Sequence, residues 1–198
     1  MIRRIINKIN RIFFVLFNRP FYGALGSNSI IDKPLMIENK KYIFIGNKCL
    51  IRGGARLTTV PCWYINGKKE QSYSPKLVIE DNVSIEQNVH INCANSVRIE
   101  KDCTLSSYVF ITDVDHSYEN INEKVLNQPL ITYETVVGEG TFLGTGVKVM
   151  AGVKIGKHCV IGANAVVAKD IPDYSVAVGI PAKVIKQYNL ENKSWQKV

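Results

Sequence analysis

Aliphatic side chains recur at every sixth position along most of this chain. The longest run comprises Val137, Leu143, Val149, Ile155, Ile161 and Val167. Three shorter runs precede it: Ile45, Ile51 and Leu57; Ile79, Ile85 and Ile91; Ile99, Leu105 and Ile111. A period of six is neither the period of a helix nor the alternation of a half-buried strand. It is typical of hexapeptide repeats, in which a short strand and a turn occupy each hexad.

A second regularity describes the interior. Four residues after the aliphatic position most hexads have a small or β-branched residue, and Cys49, Cys103 and Cys159 occupy this position. Three hexads make a coil of about 18 residues with a triangular cross-section. Val137 then stacks on Ile155, Leu143 on Ile161 and Val149 on Val167, with successive strands ~4.8 Å apart. The pattern therefore predicts an all-β protein with a filled core, so that chemistry must occur on loops or between subunits.

Two polar segments, residues 58–76 and 113–135, interrupt the period. A filled prism cannot absorb them, so we expect both to loop outward, where functional residues are common. A surface flap or a subunit contact is an equally good interpretation of residues 58–76.

The two ends of the chain lack the repeat. Residues 1–17 place apolar and basic residues on opposite sides of a helix. Such a helix either caps the open end of the prism or lies on an anionic membrane surface. After a turn at Pro181 we expect a short C-terminal helix. The predicted organisation is an N-terminal amphipathic helix, a β-helix domain and a C-terminal helix with its tail, in residues 1–20, 21–180 and 181–198.

Composition excludes several classes of function. The 198 residues include 25 Lys and Arg against 17 Asp and Glu, a formal net charge of +8, and eleven of the basic residues fall within residues 1–60. The sequence shows no nucleic-acid recognition motif, so we expect no nucleic-acid partner.

No apolar run reaches the ~18 residues of a membrane-spanning helix. Five cysteines without a CxxC pair indicate reduced thiols in a cytoplasmic protein. The three histidines are 26 and 42 residues apart, so we expect no metal site.

Residues 141–185 resemble a known family through IGANAVVAKDIP followed by GIPAKVI. These motifs are similar to the C-terminal half of hexapeptide-repeat acetyltransferases, which include the maltose and galactoside O-acetyltransferases and those of bacterial surface polysaccharides. The resemblance is good over residues 79–187. It implies a left-handed parallel β-helix, a homotrimer, acetyl-CoA as donor, and active sites between neighbouring prisms.

The resemblance also implies site residues. His116 matches the family's catalytic histidine, and an imidazole can take the proton of a sugar hydroxyl as it attacks a thioester. Asp113 and Asp115 flank it and are candidates to orient the imidazole. Asn92 matches an asparagine that contacts the acceptor, and Tyr118 and Gln128 are candidates to line the same pocket.

Donor binding is implied for residues on the C-terminal side. Small residues would let the pantetheine arm lie close to the prism, and lysines would meet the phosphates of coenzyme A. An aromatic residue replaces the tryptophan of the maltose and galactoside enzymes. The set is Phe142, Gly144, Thr145, Ala163, Ala168, Lys169, Lys183 and Lys186.

We therefore predict an acetyl-CoA-dependent O-acetyltransferase that acts on a sugar hydroxyl in surface-polysaccharide biosynthesis, with His116 as general base. We expect it in the cytoplasm, with the helix at residues 1–17 as the candidate contact to the inner membrane face. N-acetylation of an amino-sugar nucleotide, serine O-acetylation and a non-catalytic β-helix remain alternatives. Serine acetyltransferases have a long helical N-terminal domain that is missing here.

Overall fold

The computed structural model describes residues 13, 15–65 and 67–198. Residues 15–18 are helical, and short 3-10 turns follow at Arg19–Phe21, Lys40–Tyr42 and Val125–Asn127. The described strands are, in chain order, β1 Ala24–Leu25, β2 Ile30–Ile31, β3 Met36–Ile37, β4 Ile43–Ile45, β5 Leu50–Ile51, β6 Arg56–Thr59, β7 Cys62–Ile65, β8 Lys68–Ser72, β9 Lys76–Ile79, β10 Ser84–Ile85, β11 His90–Cys93, β12 Ser96–Ile99, β13 Thr104–Leu105, β14 Phe110–Thr112, β15 Val114–His116, β16 Leu130–Thr132, β17 Glu134–Val137, β18 Phe142–Leu143, β19 Lys148–Val149, β20 Lys154–Ile155, β21 Val160–Ile161, β22 Val166–Val167, β23 Ser175–Val178, β24 Lys183–Asn189 and β25 Ser194–Lys197.

Three parallel sheets form the three faces of a prism. Face one has the order β1-β4-β9-β12-β17-β20 and face three the order β3-β6-β11-β14-β19-β22. Face two has the order β2-β5-β10-β13-β18-β21-β23 and then continues into β24 and β25. The chain visits the faces in turn, so each circuit adds one strand to each sheet. The result is the left-handed parallel β-helix that the sequence predicts.

The predicted stacking of the coils is confirmed in its register. Val137 pairs with Ile155, Leu143 with Ile161 and Val149 with Val167. The same three ladders continue through the earlier coils, and their aliphatic side chains are almost fully buried. One inward and one outward residue per short strand is what the pleat of a strand produces.

The cysteines of the repeat fill the interior of the corners. Cys49, Cys103 and Cys159 are buried, and each thiol donates to a backbone carbonyl of an adjacent coil, at 3.0 Å to Glu80 O, 3.1 Å to Gly138 O and 3.1 Å to Pro172 O. Burial raises the pKa of the Cys103 thiol to about 12. The thiols are therefore protonated small side chains of the core.

The predicted C-terminal helix is wrong. Residues 183–189 form β24, which runs antiparallel to β23, and β25 runs antiparallel to β24. The upper edge of β23 would otherwise leave backbone groups without partners, and pairing with β24 satisfies them. A column of rings joins this end to the prism, since Tyr188 lies 6.5 Å from Tyr174 and 5.4 Å from Trp195.

The predicted N-terminal amphipathic helix lies largely outside the described residues. In the part of the chain that is described, no helix combines the length and the hydropathy needed to cross a bilayer.

Candidate active site

Both interruptions of the repeat leave the prism at the corner between faces three and one. The first separates β6 from β9 and folds as the hairpin β7–β8. The second separates β14 from β17 and contains the hairpin β15–β16. In the coil between them the chain turns this corner with only residues 94–95. The two hairpins therefore rise from the same corner, two coils apart.

Asp113 closes the base of the second interruption. Its side chain is fully buried, and its two carboxylate oxygens accept the backbone N–H groups of Ala94 and Asn95, both at 2.8 Å. The Asn95 side chain in turn donates to Tyr133 O at 2.9 Å. Burial raises the pKa of the Asp113 carboxyl, against the opposing effect of the two N–H groups. Asp113 thus joins neighbouring coils through backbone groups, and its action on the imidazole stays a prediction.

His116 is the last residue of β15 and packs against the first hairpin. Its ring centroid lies 5.3 Å from that of Trp63, edge to face at 69°. The imidazole Nδ1 and the Trp63 Nε1 are buried and have no hydrogen-bond partner among the described residues. Nε2 is not among the buried unpaired atoms of this part of the chain. Of the two ring nitrogens, only Nδ1 is enclosed in this way.

Asp115 lies on the opposite side of β15 from His116. Residues in a strand alternate between its two faces, and Asp115 is exposed. In β15–β16 it pairs with Ile131, whereas His116 pairs with Leu130. Within the described residues neither predicted aspartate hydrogen-bonds to the imidazole. The contact that sequence reasoning missed is the one with Trp63.

The first hairpin also grips the strand opposite His116. The Gln71 side chain donates from Nε2 to Leu130 O at 3.1 Å and accepts at Oε1 from Leu130 N at 2.7 Å. The Tyr73 hydroxyl donates to the same carbonyl at 3.4 Å. Residues 58–76 therefore contact the loop that contains the candidate base.

The predicted acceptor residues differ in their surroundings. Asn92 is half-buried on face three, in register with Thr112, which ends the strand before the His116 loop. Tyr118 is 74% exposed in that loop. Gln128 is buried, and its amide bonds Asn120 N, Asn120 O and Glu123 O. Gln128 thus braces the loop from within, and its place in the acceptor pocket stays a prediction.

The predicted donor residues lie along two corners and one face of the prism. Gly144, Thr145 and Ala163 lie at the corner between faces two and three, whereas Ala168 and Lys169 follow β22 at the corner of the hairpins. Phe142 is 43% exposed on face two, and the same outward column reaches Lys186 through Val160 and Val176. Lys183 is exposed at the start of β24.

Packing alone accounts for Gly144. A Cβ at this position would lie 2.7 Å from Ala163 N and 2.9 Å from Ile161 O on the next coil. The glycine is therefore required for coil stacking, whatever it contributes to donor binding.

The remaining histidines have structural surroundings. His158 lies at a corner with a positive φ of 51° and stacks on Tyr174 at 5.7 Å. His90 packs edge to face on Phe110 at 5.4 Å, and burial lowers its pKa, as does the nearby charge of Arg56. The described residues contain no group of three His, Cys, Asp or Glu side chains that could hold a metal ion.

Comparison with known proteins assigns the chain to a family. The model of bacterial transferase hexapeptide repeats (six repeats) matches residues 134–169. WbbJ of Escherichia coli (strain K12), which is named for O-acetyl transfer in lipopolysaccharide biosynthesis, is 38% identical over 190 residues that cover 92% of this chain and 89% of WbbJ. Rv3034c of Mycobacterium tuberculosis (strain ATCC 25618 / H37Rv), named as an acetyltransferase, is 32% identical over 164 residues, covering 81% of this chain and 54% of Rv3034c.

A solved structure shows the same fold. AntD, an N-acyltransferase from Bacillus cereus in complex with dTDP and 3-hydroxybutyryl-CoA, superposes with a TM-score of 0.69 at 15% identity, covering 89% of this chain and 88% of AntD. The repeat, the coil register and the near full-length match to WbbJ agree with one another. The chain therefore belongs to the hexapeptide-repeat acetyltransferase family and is an enzyme of the acyltransferase class.

Proposed function

We propose that this enzyme transfers an acetyl group from acetyl-CoA to a sugar hydroxyl, in the assembly of a surface polysaccharide. The observation that supports this most directly is the placement of His116, whose ring packs against Trp63 with Nδ1 buried, so that Nε2 is the nitrogen we assign to the acceptor hydroxyl. The name of WbbJ, which matches nearly the whole chain, agrees with O-acetylation and with a lipopolysaccharide precursor as acceptor.

In this proposal His116 Nε2 takes the proton of the acceptor hydroxyl as its oxygen attacks the thioester carbonyl. A C–O bond forms, and the resulting tetrahedral oxyanion collapses with cleavage of the C–S bond. The thiolate of coenzyme A leaves, and the imidazolium returns the proton to it. Thiolate leaves readily, so the reaction needs no covalent enzyme intermediate.

The donor side of the proposal uses exposed residues at the corners. Thr145, Ala163 and Ala168 are exposed and small enough to let a pantetheine arm approach the prism, and Lys169, Lys183 and Lys186 are exposed cations for the phosphates. Because these groups lie on two corners and face two, we propose that a homotrimer completes the site between neighbouring prisms. Light scattering on the purified protein, with a mass of three chains as the expected result, tests this.

Placement in the cell is a further part of the proposal. The free cysteines Cys49, Cys93, Cys103 and Cys159 are buried thiols, as expected for a protein folded in the reducing cytoplasm. Contact of the N-terminal segment with the inner membrane face would bring the enzyme to a lipid-linked acceptor. Binding of the full chain to vesicles with anionic lipid, compared with neutral vesicles, tests this contact.

The catalytic proposal is tested by coenzyme A release. Acetyl-CoA is incubated with a panel of sugars and amino-sugar nucleotides, and the thiol is followed with a chromogenic probe. We expect turnover with a hydroxyl acceptor, a rate about 10²–10⁴-fold lower in His116→Ala, and an unchanged rate in His158→Asn, whose left-handed corner tolerates asparagine.

If only the amino sugars are acetylated, the proposed O-acetyltransferase activity is wrong and the enzyme is an N-acetyltransferase. Full activity of His116→Ala with a hydroxyl acceptor would contradict the mechanism.

A further inference from the structure

The first hairpin meets the His116 loop through two distinct contacts. Gln71 uses both ends of its amide on the backbone of Leu130, and Tyr73 adds a third hydrogen bond to that residue. Trp63, from the other strand of the same hairpin, covers the His116 ring. Both contacts are made across more than fifty residues of sequence, with Gln71 and Leu130 separated by 59.

The hydrogen bonds from Gln71 and Tyr73 affect His116 through Leu130. In the antiparallel pair β15–β16, His116 is in register with Leu130, and it is the last residue of its strand. Leu130 is itself 7% exposed, so its side chain is anchored as well as its backbone. Fixing the position of Leu130 therefore fixes the end of β15 from which the imidazole projects.

The His116 hairpin needs this support for a physical reason. Its two strands have only three residues each, and an isolated two-stranded hairpin is marginally stable in water. A catalytic base must remain within a fraction of an ångström of its working position, and a displacement of ~1 Å can cost ~10²-fold in rate.

We propose that the hairpin β7–β8 is the positioning element of the catalytic base, with Gln71 acting through Leu130 and Trp63 acting on the imidazole ring. This inference rests on the proposed function because it takes His116 as the base. Gln71 and Trp63 are positioning residues, and the residues of the loop between β6 and β9 are thereby given a role in turnover.

The variant Gln71→Met removes the hydrogen bonds to Leu130 and keeps the size of the side chain. Methionine has nearly the same length, and it can neither donate to Leu130 O nor accept from Leu130 N in a comparable way. We expect kcat to fall about tenfold or more, while KM for acetyl-CoA stays within about twofold. Lys68→Ala, at the exposed tip of the same hairpin, is the matched control and should leave both constants unchanged.

A spectroscopic measurement shows whether the ring has moved. With labelled histidine, the His116 resonance is identified by its absence in His116→Ala, and it is displaced by the ring current of Trp63. We expect this displacement to be lost in Trp63→Ala, reduced in Gln71→Met, and largely kept in Trp63→Phe. Activity should follow the same order, with Trp63→Phe above Trp63→Ala.

The outcomes distinguish this inference from the proposed function. Wild-type kcat and an unmoved resonance in Gln71→Met, with His116→Ala inactive, would overturn the positioning role alone. Full activity in His116→Ala would overturn the proposed mechanism. If Gln71→Met lowers the melting temperature enough to prevent assay, Trp63→Phe against Trp63→Ala decides, and equal kcat values in these two folded variants would overturn the role of the ring.

Discussion

At the scale of the residue, the two aspartates beside His116 show how position in a strand divides neighbouring side chains. Asp113 precedes β15 and is drawn into the prism, where it accepts two backbone N–H groups. Asp115 lies two residues further and is exposed. The four residues 113–116, DVDH, therefore contain a structural acid, a surface acid and the candidate base.

Asp113→Ala should destabilise the fold by about 2 kcal/mol, because it leaves the N–H groups of Ala94 and Asn95 without their acceptor. Asp115→Ala is the control and should change stability by less than about 0.5 kcal/mol. Urea denaturation measures both.

The difference between wild type and Asp113→Ala should depend on pH. Burial raises the pKa of Asp113 above its usual value near 3.8, so its stabilising contribution is complete below that value and decreases as the pH rises through the folded pKa. The destabilisation should therefore be larger at pH 4 than at pH 7. Equal values at the two pH values would contradict the role of burial.

At the scale of the element, a coil is defined by close contact with the coils next to it. The corner at Gly144 approaches the backbone of residues 161–163 so closely that no Cβ fits without a shift. Gly53 lies at another corner, where an added Cβ would find only the carbonyl oxygens of Asp32 and Lys33, both at 3.8 Å.

Gly144→Ala should lower stability by about 1–3 kcal/mol, since two coils must separate locally to admit the methyl group. Gly53→Ala should be neutral or slightly stabilising, because it restricts the unfolded chain without a clash. Melting temperatures of the two variants provide the comparison, and equal losses would indicate that coil contact does not determine the effect.

Elements outside the prism are held by contacts with one another and with the end of the prism, and not by coil stacking. The hairpins β7–β8 and β15–β16 have few residues in the core, and each is held by the other. The C-terminal strands are held by the edge of β23 and by the rings of Tyr174, Tyr188 and Trp195.

At the scale of the whole molecule, the rod is a stack in which each coil contacts only its neighbours, and its stability is close to a sum over such contacts. Four buried thiols are distributed along it, at Cys49, Cys93, Cys103 and Cys159. Burial raises the pKa of each. They remain protonated and enclosed at neutral pH as long as the rod is closed.

Thiol labelling at pH 8 should therefore modify no more than Cys62 of the five in the native protein, and all five in denaturant. A raised pKa lowers the thiolate fraction at this pH, which adds to the protection by burial. Peptide mapping by mass spectrometry identifies the sites. Rapid labelling of Cys93 or Cys103 in the native state would show that the middle of the rod opens.

The six-residue period of the chain was enough to predict the prism. A six-residue period leaves one geometry in which every aliphatic side chain is buried, so the register of Val137 with Ile155 could be predicted. The family resemblance identified His116 as the candidate base, because the matching stretch FITDVDHSY is continuous in the sequence.

The surroundings of His116 could not be predicted from the chain, because they form only when distant segments fold together. The partners of its loop, Trp63 and Gln71, are more than fifty residues away, and no local pattern states that two insertions leave the same corner. The roles of Asp113 and Gln128 were likewise decided by backbone groups brought close through folding. The C-terminal strands followed from the free edge of β23, which exists only once the coils have stacked. The repeat allows the β-helix to be predicted from the sequence, whereas the site depends on contacts between segments that do not repeat.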